Sequence, residues 1–231
     1  MKSFLFRKDV LELKLKALEK YGEAQTRRLL KPQPHSEEHL EYGEYTPALV
    51  DKEGNQYPAD YTVFGAYTSD GEYAWKPRYI IGEERYIKEA WRVINAIGKT
   101  NTNDFGIEYL SGEHEVIWWT DNAGKFDYPI DEKLRSPLFM PEWAARKFAI
   151  VTDVRLQRLQ EITPDDCLRE GVSKKLATYL GISTAESEEE FAFDGSKLRR
   201  LYANLWDSLK PAYTWDSNPF VWEIEFKRIE R

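Results

Sequence analysis

Hydrophobic and polar residues alternate along much of this chain, and helical spacing is confined to a few stretches. Residues 8–20 repeat apolar positions at helical spacing, and Gly22 stands where a helix C-cap glycine belongs. Runs rich in β-branched and aromatic residues predict strands at 62–67, 73–81, 84–93 and 114–120. The clearest strands are 146–156 and 220–228, where apolar residues take every second position.

Two further helices are expected in the second half of the chain. Thr163 is the N-cap of the first, which Gly171 ends, so that Glu170 lies in its last turn. Ser196 is predicted to cap the second. Residues 33–60 are polar and proline-punctuated and predict an extended surface loop, and 185–190 a solvated charged segment. This order predicts a single α+β domain over 1–231, built around a mainly antiparallel, barrel-like sheet.

Composition narrows the class of protein. The 231 residues are 42% hydrophobic and 32% charged, as in globular proteins. The net charge of −7 argues against a protein that coats nucleic acid nonspecifically, because that mode needs a broad basic surface. Cys167 is the single cysteine, which excludes an internal disulfide. No apolar run is long enough to span a membrane, and the expected location is the cytoplasm.

One metal-like pattern is present. His35 to His39 match the H-x-x-E-H spacing of a zinc peptidase class, but they follow two prolines in a stretch with few apolar neighbours. That chemistry needs both histidines on one face of a buried helix. We interpret the segment as a solvated loop and predict neither a metal nor a cofactor.

The tetrad Gln25-Thr26-Arg27-Arg28 is the strongest candidate for binding chemistry. Arginine presents planar bidentate donors to phosphate or base edges, and Gln and Thr can pair with a base or a hydroxyl. Alternatively, an arginine pair after a helix C-terminus merely favours the helix dipole and solubility.

Five blocks of sequence, in order, resemble ASCH domains of the PUA-like superfamily, especially the larger members carried by phages and prophages. They are Gly22, Gln25–Arg28 and Lys31–Pro34; Gly82-Glu83 and Tyr86–Trp91; Met140-Pro141, Ala144–Arg146 and Val151–Arg155; Leu159, Ile162-Thr163, Asp165-Asp166 and Glu170-Gly171; and Leu205–Ser208, Asn218-Pro219 and Trp222–Phe226. The resemblance implies a small β-barrel with flanking helices, and inserted loops near 33–60 and 172–195.

The resemblance also implies a site. PUA-like clefts often accept RNA or a modified base, and some small ASCH proteins hydrolyse the acetyl amide of a modified cytidine with a Lys, a Thr and a Glu. Thr26 and Glu170 match the Thr and the Glu as candidate catalytic residues, but Glu23 occupies the lysine position. A glutamate cannot supply that positive charge, and Lys20, one helical turn earlier, is the candidate substitute.

Three functions therefore remain open. The first is a pocket for a nucleotide, a modified nucleobase or an RNA segment; the second is an amidohydrolase acting on an acylated nucleoside; the third is a phage accessory protein acting through protein contacts in the host cytoplasm. The first is preferred because it uses the basic tetrad without the missing lysine. Its expected ligand-binding residues are Gln25, Thr26, Arg27, Arg28, Arg146 and Trp91. For Trp91 a core position is the alternative.

Overall fold

The structure, a computed structural model, describes residues 1–34, 39–69, 71, 73–95, 104–109, 115–120, 133–182, 194–209 and 211–231. Its strands are β1 Lys2–Phe4, β2 Glu23–Leu29, β3 Leu40–Tyr45, β4 Ala48–Val50, β5 Gln56–Pro58, β6 Val63–Thr68, β7 Ala74–Trp75, β8 Glu84–Ile87, β9 Trp91–Asn95, β10 Asp104–Tyr109, β11 Glu115–Thr120, β12 Phe148–Arg158 and β13 Phe220–Ile229. Its α-helices are α1 Lys8–Tyr21, α2 Pro164–Arg169, α3 Lys174–Tyr179 and α4 Gly195–Ser208. Within these ranges, no helix has the length and apolar character that crossing a membrane requires.

The chain folds as two compact units, each assembled from separated segments. The first unit contains residues 1–23, 84–150 and 227–231, and the second contains 24–83 and 151–226. Strands β12 and β13 each run from one unit into the other. The assignment of 1–231 to a single domain stays a prediction.

In the first unit, β1 pairs in parallel with β8, and β8 pairs antiparallel with the start of β12. A second, antiparallel sheet has the order β11-β10-β9. Its core is a cluster of fully buried side chains, namely Trp91, Val93, Ile107, Tyr109, Met140 and Ala144.

In the second unit, β12, β13 and β2 are neighbours in that order, and β3-β6-β7 and β4-β5 form two antiparallel sheets. Helix α4 packs against α2. Their contact requires a glycine at the start of α4, because a Cβ on Gly195 would lie 2.7 Å from Pro164 Cγ. The α+β class with mainly antiparallel sheets is thus confirmed, while the sheets formed by the described residues are open and none closes into a barrel.

Most predicted elements are present, but several need correction. The strand predicted over 73–81 is confined to Ala74–Trp75, and the strand predicted over 84–93 is two strands, β8 and β9. The strands predicted near 146–156 and 220–228 and the helix at 8–20 are confirmed. The surface loop expected over 33–60 is wrong, because β3, β4 and β5 lie there. Strand β3 pairs with β6 and β4 pairs with β5, so the apolar and aromatic residues of these strands find cross-strand partners although carboxylates separate them in the sequence. The helix after residue 194 is capped by Asp194 rather than Ser196, since Asp194 Oδ1 accepts from the Lys197 N–H at 3.0 Å.

Some sequence predictions fall partly or wholly on residues outside the described ranges. His35 to Glu38, the first four residues of the zinc-like pattern, lie outside the described residues, as does the charged segment 185–190. Of the insertion expected near 172–195, the structure describes helix α3 and the residues around it.

Candidate functional site

Strand β2 carries the tetrad Gln25 to Arg28 directly after α1. Helix α1 ends where the sequence predicts, because Gly22 adopts the left-handed conformation with φ 73°. The chain then continues as a strand, which the tetrad itself does not predict. Since side chains alternate across a strand, Gln25 and Arg27 share one face of β2, and Thr26 and Arg28 occupy the other.

The guanidinium of Arg27 is the centre of a buried polar cluster in the second unit. Its Nη1 donates to Glu170 Oε1 at 2.9 Å, and its Nη2 lies 3.2 Å from Asp166 Oδ2. With its amide oxygen turned toward the arginine, Gln157 accepts from Nη2 and Nε, both at 2.8 Å. Gln25 Oε1 lies 3.5 Å from Nη1. The Arg27 side chain is 0% exposed, so these oxygens replace the water that a guanidinium would otherwise bind.

Helix α2 brings both carboxylates to Arg27. Thr163 caps it as predicted: its side chain accepts from the Asp166 N–H at 3.1 Å, and Asp166 Oδ2 accepts from the Thr163 N–H at 3.0 Å. Glu170 is the C-cap residue, where a negative charge opposes the helix dipole. Its ion pair with Arg27 explains that placement.

Protonation follows from these contacts. Burial alone raises the pKa of Asp166, but the hydrogen bonds from Thr163 and the charge of Arg27 outweigh burial and hold that pKa below its ordinary value. Burial lowers the pKa of Arg27, but the charge of Glu170, followed by Tyr202 and two further acidic groups, leaves it above the ordinary value. Arg27 is therefore cationic throughout the physiological range.

A second arginine extends the cluster toward solvent. Arg155 Nη2 donates to Glu223 Oε1 at 2.8 Å, and its Nε lies 3.0 Å from Asp153 Oδ2. The Arg155 side chain is 44% exposed, whereas that of Glu223 is 2% exposed. Burial raises the pKa of Glu223 above its ordinary value, although Arg27 and Arg155 oppose that shift. Glu223 is thus more easily protonated than a solvent-exposed glutamate. We call Gln25, Arg27, Asp153, Arg155, Gln157, Asp166, Glu170 and Glu223 the Arg27 cluster.

Helix α4 closes one side of the cluster with Tyr202. The Arg27 guanidinium carbon lies 5.9 Å from the centre of this ring, and the Tyr202 hydroxyl forms a hydrogen bond with Glu170. Burial, reinforced by the charge of Glu170, raises the pKa of Tyr202 well above its ordinary value, so the phenol stays protonated. Cys167 is buried, and burial raises its pKa to about 12, which keeps it a thiol.

Two other sequence-predicted ligands, Arg146 and Trp91, belong to the first unit. Glu89 accepts from Arg146 Nε and Nη2, both at 2.9 Å, and from Lys147 Nζ at 2.8 Å. The Arg146 guanidinium also lies 4.4 Å from the centre of the Tyr109 ring. Trp91 is 0% exposed in the core, the alternative that the sequence left open. The structure thus joins Gln25, Arg27 and Glu170 in one cluster and places Arg146 and Trp91 in another.

The residues tied to the hydrolase hypothesis are placed as follows. Thr26 is buried on the face of β2 opposite Arg27, while Glu170 holds Arg27. Glu23, at the family lysine position, lies 3.5 Å from Lys227 Nζ. Lys20, the candidate substitute, has its Nζ 5.2 Å from the centre of the Tyr21 ring. The catalytic roles of Thr26 and Glu170 stay predictions.

Most of the Arg27 cluster was missed at the sequence level. Asp153, Arg155 and Glu223 were visible as the polar positions of two alternating strands, which a half-buried sheet normally presents to water. The available signal was that β12 and β13 carry opposite charges on those positions while α2 and its C-cap carry three carboxylates, Asp165, Asp166 and Glu170. Because buried charges are paired, opposite charges on three elements indicate a buried network of ion pairs.

Comparison with known proteins adds no further constraint: no protein-family model matches the chain, and no curated protein or solved structure is significantly similar to it.

Proposed function

We propose that this chain is an ASCH protein of PUA-like type that binds a nucleoside or modified nucleobase at the solvent edge of the Arg27 cluster. The observation that carries the proposal is the pair of Arg155, half exposed, and Glu223, buried with a raised pKa. Together they offer a planar cationic donor beside a carboxyl group that accepts when ionised and donates when protonated. The edge of a nucleobase carries the complementary donors and acceptors within a few ångströms.

The charge balance favours a base over a phosphate. Arg155 faces two carboxylates, Asp153 and Glu223, and Arg27 faces Asp166 and Glu170. With four carboxyl groups around two arginines, the cluster has no surplus positive charge for a phosphate dianion or an RNA backbone. A neutral ligand that hydrogen-bonds through its edge avoids that repulsion.

The test is a thermal-shift titration with cytidine, N4-acetylcytidine, uridine, adenosine and guanosine, each beside its 5′-monophosphate. We expect at least one nucleoside to raise the melting temperature and its monophosphate to bind no tighter. Arg155→Ala and Glu223→Gln should abolish the shift, while Arg228→Ala, an exposed arginine outside the cluster, should retain it. Binding by Arg155→Ala at wild-type affinity, or no shift with any nucleoside, would show the proposal to be wrong.

The same samples test the amidohydrolase alternative. Acetate release from N4-acetylcytidine by wild type, lost in Thr26→Ala, would favour that alternative over simple binding. Glu170 would then have to leave Arg27 during the reaction. Binding without acetate release is the expected outcome.

A further inference from the structure

The segment 39–69 of the second unit concentrates negative charge and tyrosine. It contains five carboxylate residues (Glu41, Glu44, Asp51, Glu53 and Asp60) and one lysine, Lys52, which gives a net charge of −4 out of −7 for the chain. It also holds five of the 14 tyrosines. Four of the five carboxylate residues are exposed. None of these residues belongs to the Arg27 cluster, so this surface is independent of the proposed nucleoside site.

The pairing of β3 with β6 explains how tyrosines gather on one face. Residues directly opposite each other share a face, and the register sets Gly43 opposite Gly65, with Glu41 opposite Tyr67 and Tyr45 opposite Val63. The glycine pair leaves a gap with no side chains at the middle of this face. A Cβ on Gly65 would lie 3.1 Å from Tyr45 Cε1, so the Tyr45 ring lies over that gap.

Two tyrosine rings contact each other on this face. Tyr45 and Tyr67 have ring centroids 5.0 Å apart at 40°. Tyr67 forms a hydrogen bond with the Glu41 carboxylate, and Tyr45 interacts electrostatically with Tyr61. Tyr61 is 49% exposed, and Glu41 is also exposed. We call Glu41, Tyr45, Tyr61 and Tyr67 the tyrosine strip.

We propose that the tyrosine strip docks a Lys/Arg-rich segment of a partner protein. Aromatic faces attract guanidinium and ammonium groups, and the Glu41 carboxylate at the strip, together with the net charge of −4 of segment 39–69, adds Coulomb attraction. The same charge repels nucleic acid, and a second copy of this chain would bring two surfaces of net charge −4 together. A basic polypeptide is the occupant that matches both the aromatic rings and the negative charge. Tyrosine also supplies contact area at low cost in conformational entropy.

Fluorescence anisotropy with a labelled octa-arginine peptide tests the proposal at 50 mM and 300 mM salt. We expect binding that weakens with salt, and no binding of labelled octa-glutamate or of a labelled octa-uridine RNA. Tyr45→Ala and Tyr67→Ala should each weaken binding about twofold to fivefold, as expected for a partly exposed cation–π contact. Tyr67→Phe keeps the ring face and should bind like wild type.

Matched controls separate the strip from general acidity. Tyr213→Ala and Glu230→Gln remove an exposed tyrosine and an exposed carboxylate elsewhere and should leave the affinity unchanged. Glu41→Gln, an exposed and conservative change, should weaken binding even if an alanine variant of the strip misfolds. Equal affinity of all variants and controls would overturn the proposal. Binding of the RNA probe, or a dimer in sedimentation that Tyr67→Ala abolishes, would also overturn it, in favour of nucleic acid or a second copy.

Discussion

Replacing Arg27 with methionine should destabilise the protein more than any replacement of an exposed arginine. The change keeps an apolar stem of similar length but leaves Asp166 and Glu170 without their cation. For the nitrogen–oxygen distance of 2.9 Å to Glu170, Coulomb's law at an effective dielectric constant of about 20 gives about 6 kcal/mol. The desolvation of Arg27, which the variant avoids, offsets part of this loss. Removing one partner of a buried pair typically costs about 3–5 kcal/mol.

The assay is thermal unfolding followed by tryptophan fluorescence at pH 6 and pH 8, both above the isoelectric point of about 5.2. For a chain of this length the expected loss lowers the melting temperature by about 6–20 °C. In the wild type the lowered pKa of Asp166 means that the stability it contributes is present above its ordinary pKa and is lost only as the pH falls through the lowered value, so the deficit of the variant should be fully present at both pH 6 and pH 8.

Arg155→Met is the matched control, because its side chain is 44% exposed and water can replace part of its contact. It should cost about 1 kcal/mol or less. The reasoning fails if Arg27→Met melts no lower than Arg155→Met at either pH.

Three further predictions concern single groups. Burial raises the pKa of Glu223 above its ordinary value of 4.5, so its stability contribution is present below that value and falls as the pH rises through the raised pKa. Wild type should therefore lose more stability than Glu223→Gln as the pH rises from 4.5 to 8, and an equal pH dependence of the two melting temperatures would contradict this. Asp194→Ala should lower the free energy of unfolding by about 1 kcal/mol as a lost N-cap, while Ser196→Ala should cost less; urea titration checks the order, and the reverse order would restore Ser196 as the cap. Because burial raises the pKa of Cys167 to about 12, the thiol should resist Ellman's reagent at pH 8 in the native protein and react fully in denaturant; rapid native labelling would show the thiol to be accessible.

Sequence reasoning succeeded where structure is determined locally. Gly22 ends α1 and Thr163 begins α2, because both caps depend on a residue and its immediate neighbours. The alternating pattern likewise identified β12 and β13. It erred at Ser196, where Asp194, an equally good cap, stands two residues earlier.

The candidate site was predictable only in part, because its partners are distant in sequence. The motif match singled out Arg27 and Glu170, and the structure joins them. Nothing local in the alternation of β13 shows that Glu223 faces a buried arginine rather than water, since that depends on which helix covers the strand. The strands within 33–60 were missed for a similar reason: Glu41 and Glu44 make the segment look like a loop until β6 pairs with it.

The segmented make-up of the two units bears on how the chain can be produced and how it folds. The first unit draws on residues 1–23, 84–150 and the last five residues of the sequence. No continuous fragment can therefore supply that unit alone, and cloning either half of the chain would separate strands from their neighbours. During synthesis the first unit stays incomplete until residues 227–231 have been added. Neither unit can therefore fold to completion on the ribosome before the other has been synthesised, unlike the domains of proteins whose domains follow one another along the chain. Chaperones would have a correspondingly long time to bind the chain during translation.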